Sequence, residues 1–475
     1  MKVAQCLVFM VAGALAAAAP GAVSGPIGVS KACPRYFADA AGRGWIPIGC
    51  NICFDRLERD AAGARALFDG WMTAFAANGG NFMRVWLSCP FLDVMPEAAG
   101  AFSQEATDNL KWLVARAEAL GLRLKFTFEN FRAPGAPVDR NAAAGVVSFR
   151  DPAYAAAART MRDVFTRDAC AEIYLAKARR VAEAVGRSDA LVAVELWNEI
   201  DSTGVARDVL GAWSERMLAA LARLFPGKMT LQNLGSFSEA GAFADYDWLA
   251  AQKGNAFLQA HRYLDPGAAL DVCRGPMDVL CADAIRELRD RRRDLPAVLA
   301  ETGAVEPRHT GPSHLYRLDA KGLLLHDEIF APFFAGAAGG GQPWHWDHQY
   351  ISLHGLWHHF RRFAKAVEGL DPVAEDFRPF RTETARLRVW GLRGRKTTVV
   401  WLRDKRATRE ELLERGLPPP VVEGARLPVG AAAGAAYDWY LPWADAACRR
   451  ATPDAPAFAV SAVVRFQTAR AETGR

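Results

Sequence analysis

Short apolar runs alternate with amphipathic stretches along most of this chain, and the alternation stops near residue 367. Apolar runs that end in polar or aromatic residues predict buried parallel strands. They fall at Trp45–Ile52, Phe82–Leu87, Leu122–Phe128, Leu191–Asp201, Met229–Leu234, Ala256–Tyr263, Ala297–Glu301 and about Ala335–Trp346. Helical spacing predicts Asp60–Ala77, with Leu67, Trp71 and Phe75 on one face, then Asp108–Leu120 and Glu172–Val185. Strands and helices in this order predict an α/β fold, a (β/α)8 TIM barrel whose working residues lie at the C-terminal ends of its strands. The connection from Glu129 to about Arg150 is long for a compact domain, which points to a loop on the working face.

The pattern changes at Glu368–Glu383, a polar stretch with two prolines that predicts a boundary. Strand-like runs at Ala385–Gly391, Thr397–Leu402, Ala435–Leu441 and Ala457–Phe466 then predict a small C-terminal antiparallel β-sandwich-like domain. The expected organisation is a signal peptide over 1–24, a catalytic barrel over 25–368, a linker over 369–384 and a β domain over 385–475. In the first segment Lys2 precedes the apolar run Val3–Ala19, and Ala22, Val23 and Ser24 offer small residues for cleavage. This predicts export to the periplasm or the extracellular space, and no other segment is apolar enough to span a membrane. Outside that segment the eight cysteines form an even set compatible with disulfides, with Cys273 and Cys281 the best candidate pair. The net charge of +5 comes from no long run of one sign; even Arg286–Arg293 is interrupted by Glu287 and Asp290. A nucleic-acid partner is therefore not expected, and the sequence specifies no oligomeric state.

Candidate chemistry gathers at strand ends. Glu199 closes the fourth strand in Trp197-Asn198-Glu199, and Glu301 closes the seventh in Leu299-Ala300-Glu301-Thr302-Gly303. A lone glutamate at a strand end is usually a solvated loop residue; two of them on opposite staves of a barrel supply an acid and a nucleophile. These two motifs resemble those of clan A retaining glycoside hydrolases, most closely the cellulase/mannanase family, glycoside hydrolase family 5. The resemblance covers the barrel, about two-thirds of the chain, and its strongest motifs are short. It implies Glu199 as acid/base and Glu301 as nucleophile. It further implies Arg84 beside the nucleophile, Tyr263 bonded to it, His261 near the acid/base, and Asn198 on the sugar 2-hydroxyl. Trp346, in preference to Trp344, would stack on a pyranose. Asn51 stands as a supporting residue, Glu195 as a buried structural carboxylate lower in the barrel, and Trp86 and Trp197 as packing or rim residues. Many members of the family end strand three with Asp-x-His-Asn, where this chain has Phe128-Glu129-Asn130. Glu129 and Asn130 are thus candidate sugar contacts that differ from the family's pattern, and the substrate does not carry over by analogy.

Other chemistries find less support. His345, His348, His354, His358 and His359 crowd one region, but no HExxH spacing accompanies them, and Cys50-x-x-Cys53 has no second CxxC. No metal and no cofactor are expected, and neither a Gly-x-Ser-x-Gly elbow nor a P-loop is present. The expected activity is that of a retaining β-glycosidase acting on an oligo- or polysaccharide, first a β-mannan or β-mannoside. β-Glucosidase, β-galactosidase or transglycosylase action at the same site, and a carbohydrate-binding protein without catalysis, remain the alternatives.

Overall fold

The computed structural model describes residues 25–55, 60–134 and 151–469, so the candidate signal segment and most of the long third connection lie outside the described residues. A small antiparallel sheet of β1 (Gly28–Val29), β2 (Phe37–Ala38) and β3 (Gly44–Trp45) opens the fold. The barrel strands follow as β4 (Gly49–Asn51), β5 (Phe82–Trp86), β6 (Arg123–Glu129), β7 (Leu191–Trp197), β8 (Met229–Leu231), β9 (Leu258–Leu264) and β10 (Ala297–Ala304). β4 to β8 form one parallel sheet, and β9 pairs with β10 in parallel. The expected first strand is therefore broken into β3 and β4, with Pro47, which cannot donate to a ladder, between them.

Single bridges close the ring. Ser236 pairs with His261 past the end of β8, and Thr302 pairs with Pro343. The Asn51 amide then donates to the Pro343 carbonyl at 3.1 Å. The eighth stave is thus an irregular segment rather than a regular strand, and its glycines explain why. A Cβ on Gly339 would collide with Pro47, and one on Gly341 with the Glu328 carbonyl, so this stave runs too close to its neighbours for side chains.

Helices α1 (Ala61–Ala77), α2 (Gln104–Leu120), α3 (Met161–Thr166), α4 (Asp168–Val185), α5 (Arg207–Leu224), α6 (Ala242–Ala251) and α7 (Met277–Arg291) alternate with the strands. After the single turn α8 (Leu315–Leu318) comes α9 (Leu323–Phe334), every residue of which is buried. A helix buried all round needs cover on all sides, and here the C-terminal sheet supplies the outer cover, pairing Arg403 with Asp327 and Ser461 with His326.

That sheet has six antiparallel strands in the order β11 (Arg378–Glu383), β12 (Leu387–Arg393), β13 (Thr397–Asp404), β18 (Ser461–Gln467), β15 (Tyr437–Leu441) and β16 (Ala446–Arg450). A two-stranded ribbon, β14 (Val421–Val422) with β17 (Phe458–Ala459), accompanies it. The stretch expected as a linker contains β11, which pairs residue for residue with β12. Period-two alternation splits the sheet's faces: Val399 and Trp401 join the barrel core, while Val400 and Leu402 join a second cluster under the ribbon. Arg403 pairs with Asp327 on α9 at 2.8 Å, and Arg388 donates to Asp278 on α7 at 2.8 Å. Among the described residues no helix is long and apolar enough to cross a membrane. All eight described cysteines are free thiols, which corrects the expected Cys273–Cys281 pair: Cys273 faces the Phe237 carbonyl and Cys281 the Thr302 hydroxyl, each at 3.5 Å.

Candidate active site

The site is built upward from a buried charge network. Lys125 and Thr127 on β6, Glu195 on β7 and Gln259 on β9 converge inside the barrel. Glu195 accepts from Thr127 at 2.7 Å, from Lys125 at 3.1 Å and from Arg84 Nε at 3.1 Å. Burial would raise the Glu195 carboxyl, but the charges of Arg84 and Lys125 outweigh it and hold the group well below the usual carboxylate range. Burial pulls Lys125 down to about 8 against the attraction of Glu195. Glu195 as a structural carboxylate therefore agrees with its expected place.

Arg84 links this floor to the mouth. Its Nη2 donates to Asn198 Oδ1 at 2.8 Å, and its Nη1 forms an ion pair with Glu301. Burial would lower the Arg84 pKa, but Glu195 and Glu301 hold the guanidinium firmly charged. Asn51 sits beneath, bonding the carbonyls of Ala300 and Gln342 at 2.9 and 3.0 Å, so it ties the first stave to the seventh and eighth.

Glu301 accepts from the Tyr263 hydroxyl at 2.7 Å, and burial next to Glu301 keeps that phenol protonated as a donor. The β9 and β10 registers slip between Leu299 and Glu301, so Ala300 is extra and Glu301 lies opposite His261. A bulge of this kind re-aims a side chain at a strand end. His261 and Tyr263, two residues apart, share the inward face of β9, while Arg262 between them turns out to Asp283 at 2.7 Å.

His261 Nδ1 lies 2.9 Å from Glu199 Oε1 and 3.3 Å from Glu301 Oε2. Burial draws the imidazole down to about 4, so it is neutral at physiological pH despite the pull of Glu301. One ligand atom from each of Glu199, His261 and Glu301 lies within 4.8 Å of the others. This is the group among the described residues that could receive a metal ion, but the Glu301 oxygens are already held by Arg84 and Tyr263. Glu199 is the more open partner, its side chain 19% exposed against 4% for Glu301.

The predicted cluster of Glu199, Glu301, Arg84, Asn198, His261 and Tyr263 therefore assembles. Glu129 does not join it. Its carboxylate is fully buried and turned to Lys177 at 3.0 Å and the Tyr154 hydroxyl at 3.2 Å, in a cluster with Asp93 and Asp151. Burial and Asp151 push Glu129 well above the usual carboxylate range. It is a packing residue rather than a sugar contact. Asn130, buried next to it, accepts from Ser88 at 2.9 Å.

The preference for Trp346 over Trp344 is also corrected by burial. Trp346 is fully buried and turns toward Trp71 of α1 and Phe54, whereas Trp344 packs beside Trp86 with 6% of its surface exposed. The Trp346 amide bonds the Trp344 carbonyl at 3.2 Å, a tight turn that ends the strand's alternation, so spacing by two no longer placed both rings on one face. Trp197 packs among Phe131, Phe165 and Trp213.

Three site residues escaped the sequence reading. Asn233 accepts from the Glu199 backbone amide at 2.5 Å. Asp201, raised to about 6 by burial and by Glu199, lies two residues beyond the acid/base candidate. Arg132 approaches Glu199 at 3.7 Å from the third connection. None carries a motif, and only the meeting of separate loops reveals them.

No protein-family model matches the sequence, and no curated protein matches it. Solved structures do. A protein described as a glycoside hydrolase superposes over 94% of this chain and 97% of its own, with a TM-score of 0.56 and 11% identity. A family 5 glycoside hydrolase from Bacteroides vulgatus ATCC 8482 matches over 95% of both chains, at a TM-score of 0.54 and 10% identity. At such identities these likenesses establish the fold, a (β/α)8 barrel with a C-terminal sheet, and nothing finer. The exo-β-1,4-mannosidase Op5Man5 from Opitutaceae bacterium strain TAV5 is 19% identical, but the match spans 66% of this chain and 54% of that one at a TM-score of 0.48, too low to carry an argument.

Proposed function

We propose that the protein is a retaining β-glycosidase that cleaves β-linked glycans by double displacement, with Glu301 as nucleophile and Glu199 as acid/base. The observation that carries this reading is the unequal pair of carboxylates. Their oxygens lie within 4.8 Å, a spacing that suits retention, for which the carboxyl groups stand about 5–5.5 Å apart, against about 6.5–9.5 Å for inversion. Glu301 is held by the Arg84 guanidinium and the Tyr263 phenol, which fix the position of the group that must attack the anomeric carbon. Glu199, more exposed, can protonate the departing oxygen and then take a proton from water as it resolves the glycosyl ester. Neutral His261 orients the Glu199 carboxyl through Nδ1.

β-Mannan or a β-mannoside is the first substrate, on the likeness of the Ala193–Glu199 segment to that of β-mannanases. Export rests on the composition of residues 1–24. The deciding experiment is hydrolysis of aryl β-mannosides, β-glucosides, β-galactosides and β-linked polysaccharides by wild type, Glu199→Gln and Glu301→Ala. Both variants are expected to lose activity, Glu199→Gln by about 10²–10⁴-fold, and proton NMR of wild-type turnover should show the β-anomer forming first. A first-formed α-anomer, or activity surviving Glu301→Ala, would reject the mechanism. Incubation with a chelator should leave the rate unchanged; a loss restored by added metal would reassign the Glu199–His261–Glu301 cluster. Transfer to a sugar acceptor in place of water would mark a transglycosylase, and silence on the whole panel a binding protein.

A further inference from the structure

The loop after β10 carries two consecutive non-glycine residues in the left-handed region, Arg308 (φ 60°) and His309 (φ 59°). Each such residue costs about 1–2 kcal/mol, and that cost persists only where surrounding contacts impose the conformation. The contacts here come from the loop after β9. The Arg308 amide donates to Asp265 Oδ1 at 2.9 Å, and a Cβ on Gly267 would come within 2.7 Å of the same nitrogen, so the two backbones touch where only glycine fits. Val305 also bridges to Pro312, and the His309 amide bonds the Glu306 carbonyl at 3.0 Å, which pins the loop's own ends.

The outcome of this clamping is the position of one ring. His309 stands edge-on to Tyr263, centroids 4.7 Å apart at 84°, and Tyr263 is the residue bonded to Glu301. Its Nδ1 is 3.6 Å from Asp265 and its Nε2 is 3.5 Å from the hydroxyl of Ser236, which follows β8. The His309 side chain is 28% exposed, and Ser236 is partly exposed too. Loops from β8, β9 and β10 thus bring a hydroxyl, an imidazole and a carboxylate to the mouth, one residue removed from the nucleophile.

We propose that His309, supported by Asp265 and Ser236, is a specificity-determining contact that reads a hydroxyl group of the glycan bound at the carboxylate pair. This rests on the glycosidase reading above. Both polar spacings around the ring are longer than a strong hydrogen bond, leaving donors and acceptors to be satisfied by a sugar, whose hydroxyls both donate and accept. The order serine, histidine, aspartate is also that of a nucleophile relay, but relay chemistry needs direct contacts of about 2.6–3.2 Å, shorter than either spacing.

The test pairs kinetics with binding to full-length protein. On β-1,4-mannohexaose and cellohexaose, His309→Ala should raise KM about tenfold, the worth of one hydrogen bond, with kcat changed by less than about twofold. Calorimetric affinity for the same oligosaccharides should fall equally when His309→Ala is placed on an inactive Glu301→Gln background. His309→Asn, which tolerates the left-handed conformation and keeps a polar group, should recover most of both. Unchanged affinity, a loss confined to kcat, failure of both oligosaccharides to bind, or covalent labelling of Ser236 by diisopropyl fluorophosphate would overturn the assignment. Normal hydrolysis by both wild type and His309→Ala would reject this contact and leave the glycosidase reading standing. Binding that depends on His309 without any hydrolysis would do the reverse.

Discussion

Glu199 occupies a backbone conformation that glutamate avoids, with φ 52° and ψ 60°. The Asn233 side chain holds its amide, and its carbonyl accepts from Ser202 at 3.0 Å, so neighbouring loops hold the turn that lifts the carboxylate to face His261. Strain at a proposed catalytic residue is a familiar outcome of preorganisation. The same scale separates Trp344 from Trp346. Trp346 is a core residue, so Trp346→Ala should cost about 3–5 kcal/mol of stability and leave KM nearly unchanged in what folds. Trp344→Ala should raise KM for the cleaved glycan about 3–10-fold, the ~0.5–1.5 kcal/mol of an aromatic face. Thermal melts and steady-state kinetics on both variants check this; a KM effect confined to Trp346→Ala would restore it as the stacking residue.

Among the elements, α9 shows how the barrel and the C-terminal sheet depend on each other. His326 on α9 is buried, lies 2.7 Å from Ser461 on β18, and is held neutral chiefly by burial, with His359 and Arg403 adding repulsion. Its folded-state pKa is far below the 6.5 of an exposed histidine. Because the unfolded chain takes up the proton first, stability is retained above pH 6.5 and declines as pH falls below it, by about 1.4 kcal/mol per unit. Denaturant titrations at pH 7 and pH 5.5 should therefore show a shallower acid loss in His326→Gln than in wild type. Equal slopes would mean that the buried imidazole is not what responds.

At the scale of the whole molecule, one hydrophobic core runs from the barrel into the sheet: Trp390, Leu392, Val399, Trp401 and Val463 belong to the same cluster as Phe330 and Phe334 of α9. Two buried ion pairs, Arg403 with Asp327 and Arg388 with Asp278, cross the same seam. A core shared in this way predicts a single calorimetric unfolding transition. Removing one partner strands the other, so Asp278→Ala should lower stability by about 3–5 kcal/mol and still unfold in one step. Two transitions, in wild type or variant, would show that the sheet folds by itself.

The linear order of residues was enough to read the β/α alternation, the strand that leads into Glu199 and the strand that carries Glu301, and the inward pair His261 and Tyr263, because each depends on local periodicity and on the rule that barrel chemistry sits at strand ends. The edge strand β11 stayed hidden because a half-exposed, arginine-rich strand with a proline reads as a linker. The eighth stave could be sensed but not built, since its glycine run answers to neighbours distant in sequence. Only the tertiary structure turned Glu129 inward to Lys177, buried Trp346 against Trp71 and Phe54, set Asn233, Asp201 and Arg132 around Glu199, and placed His309 against Tyr263. Those placements depend on contacts between loops far apart along the chain, where neither period nor motif constrains which side chain meets which.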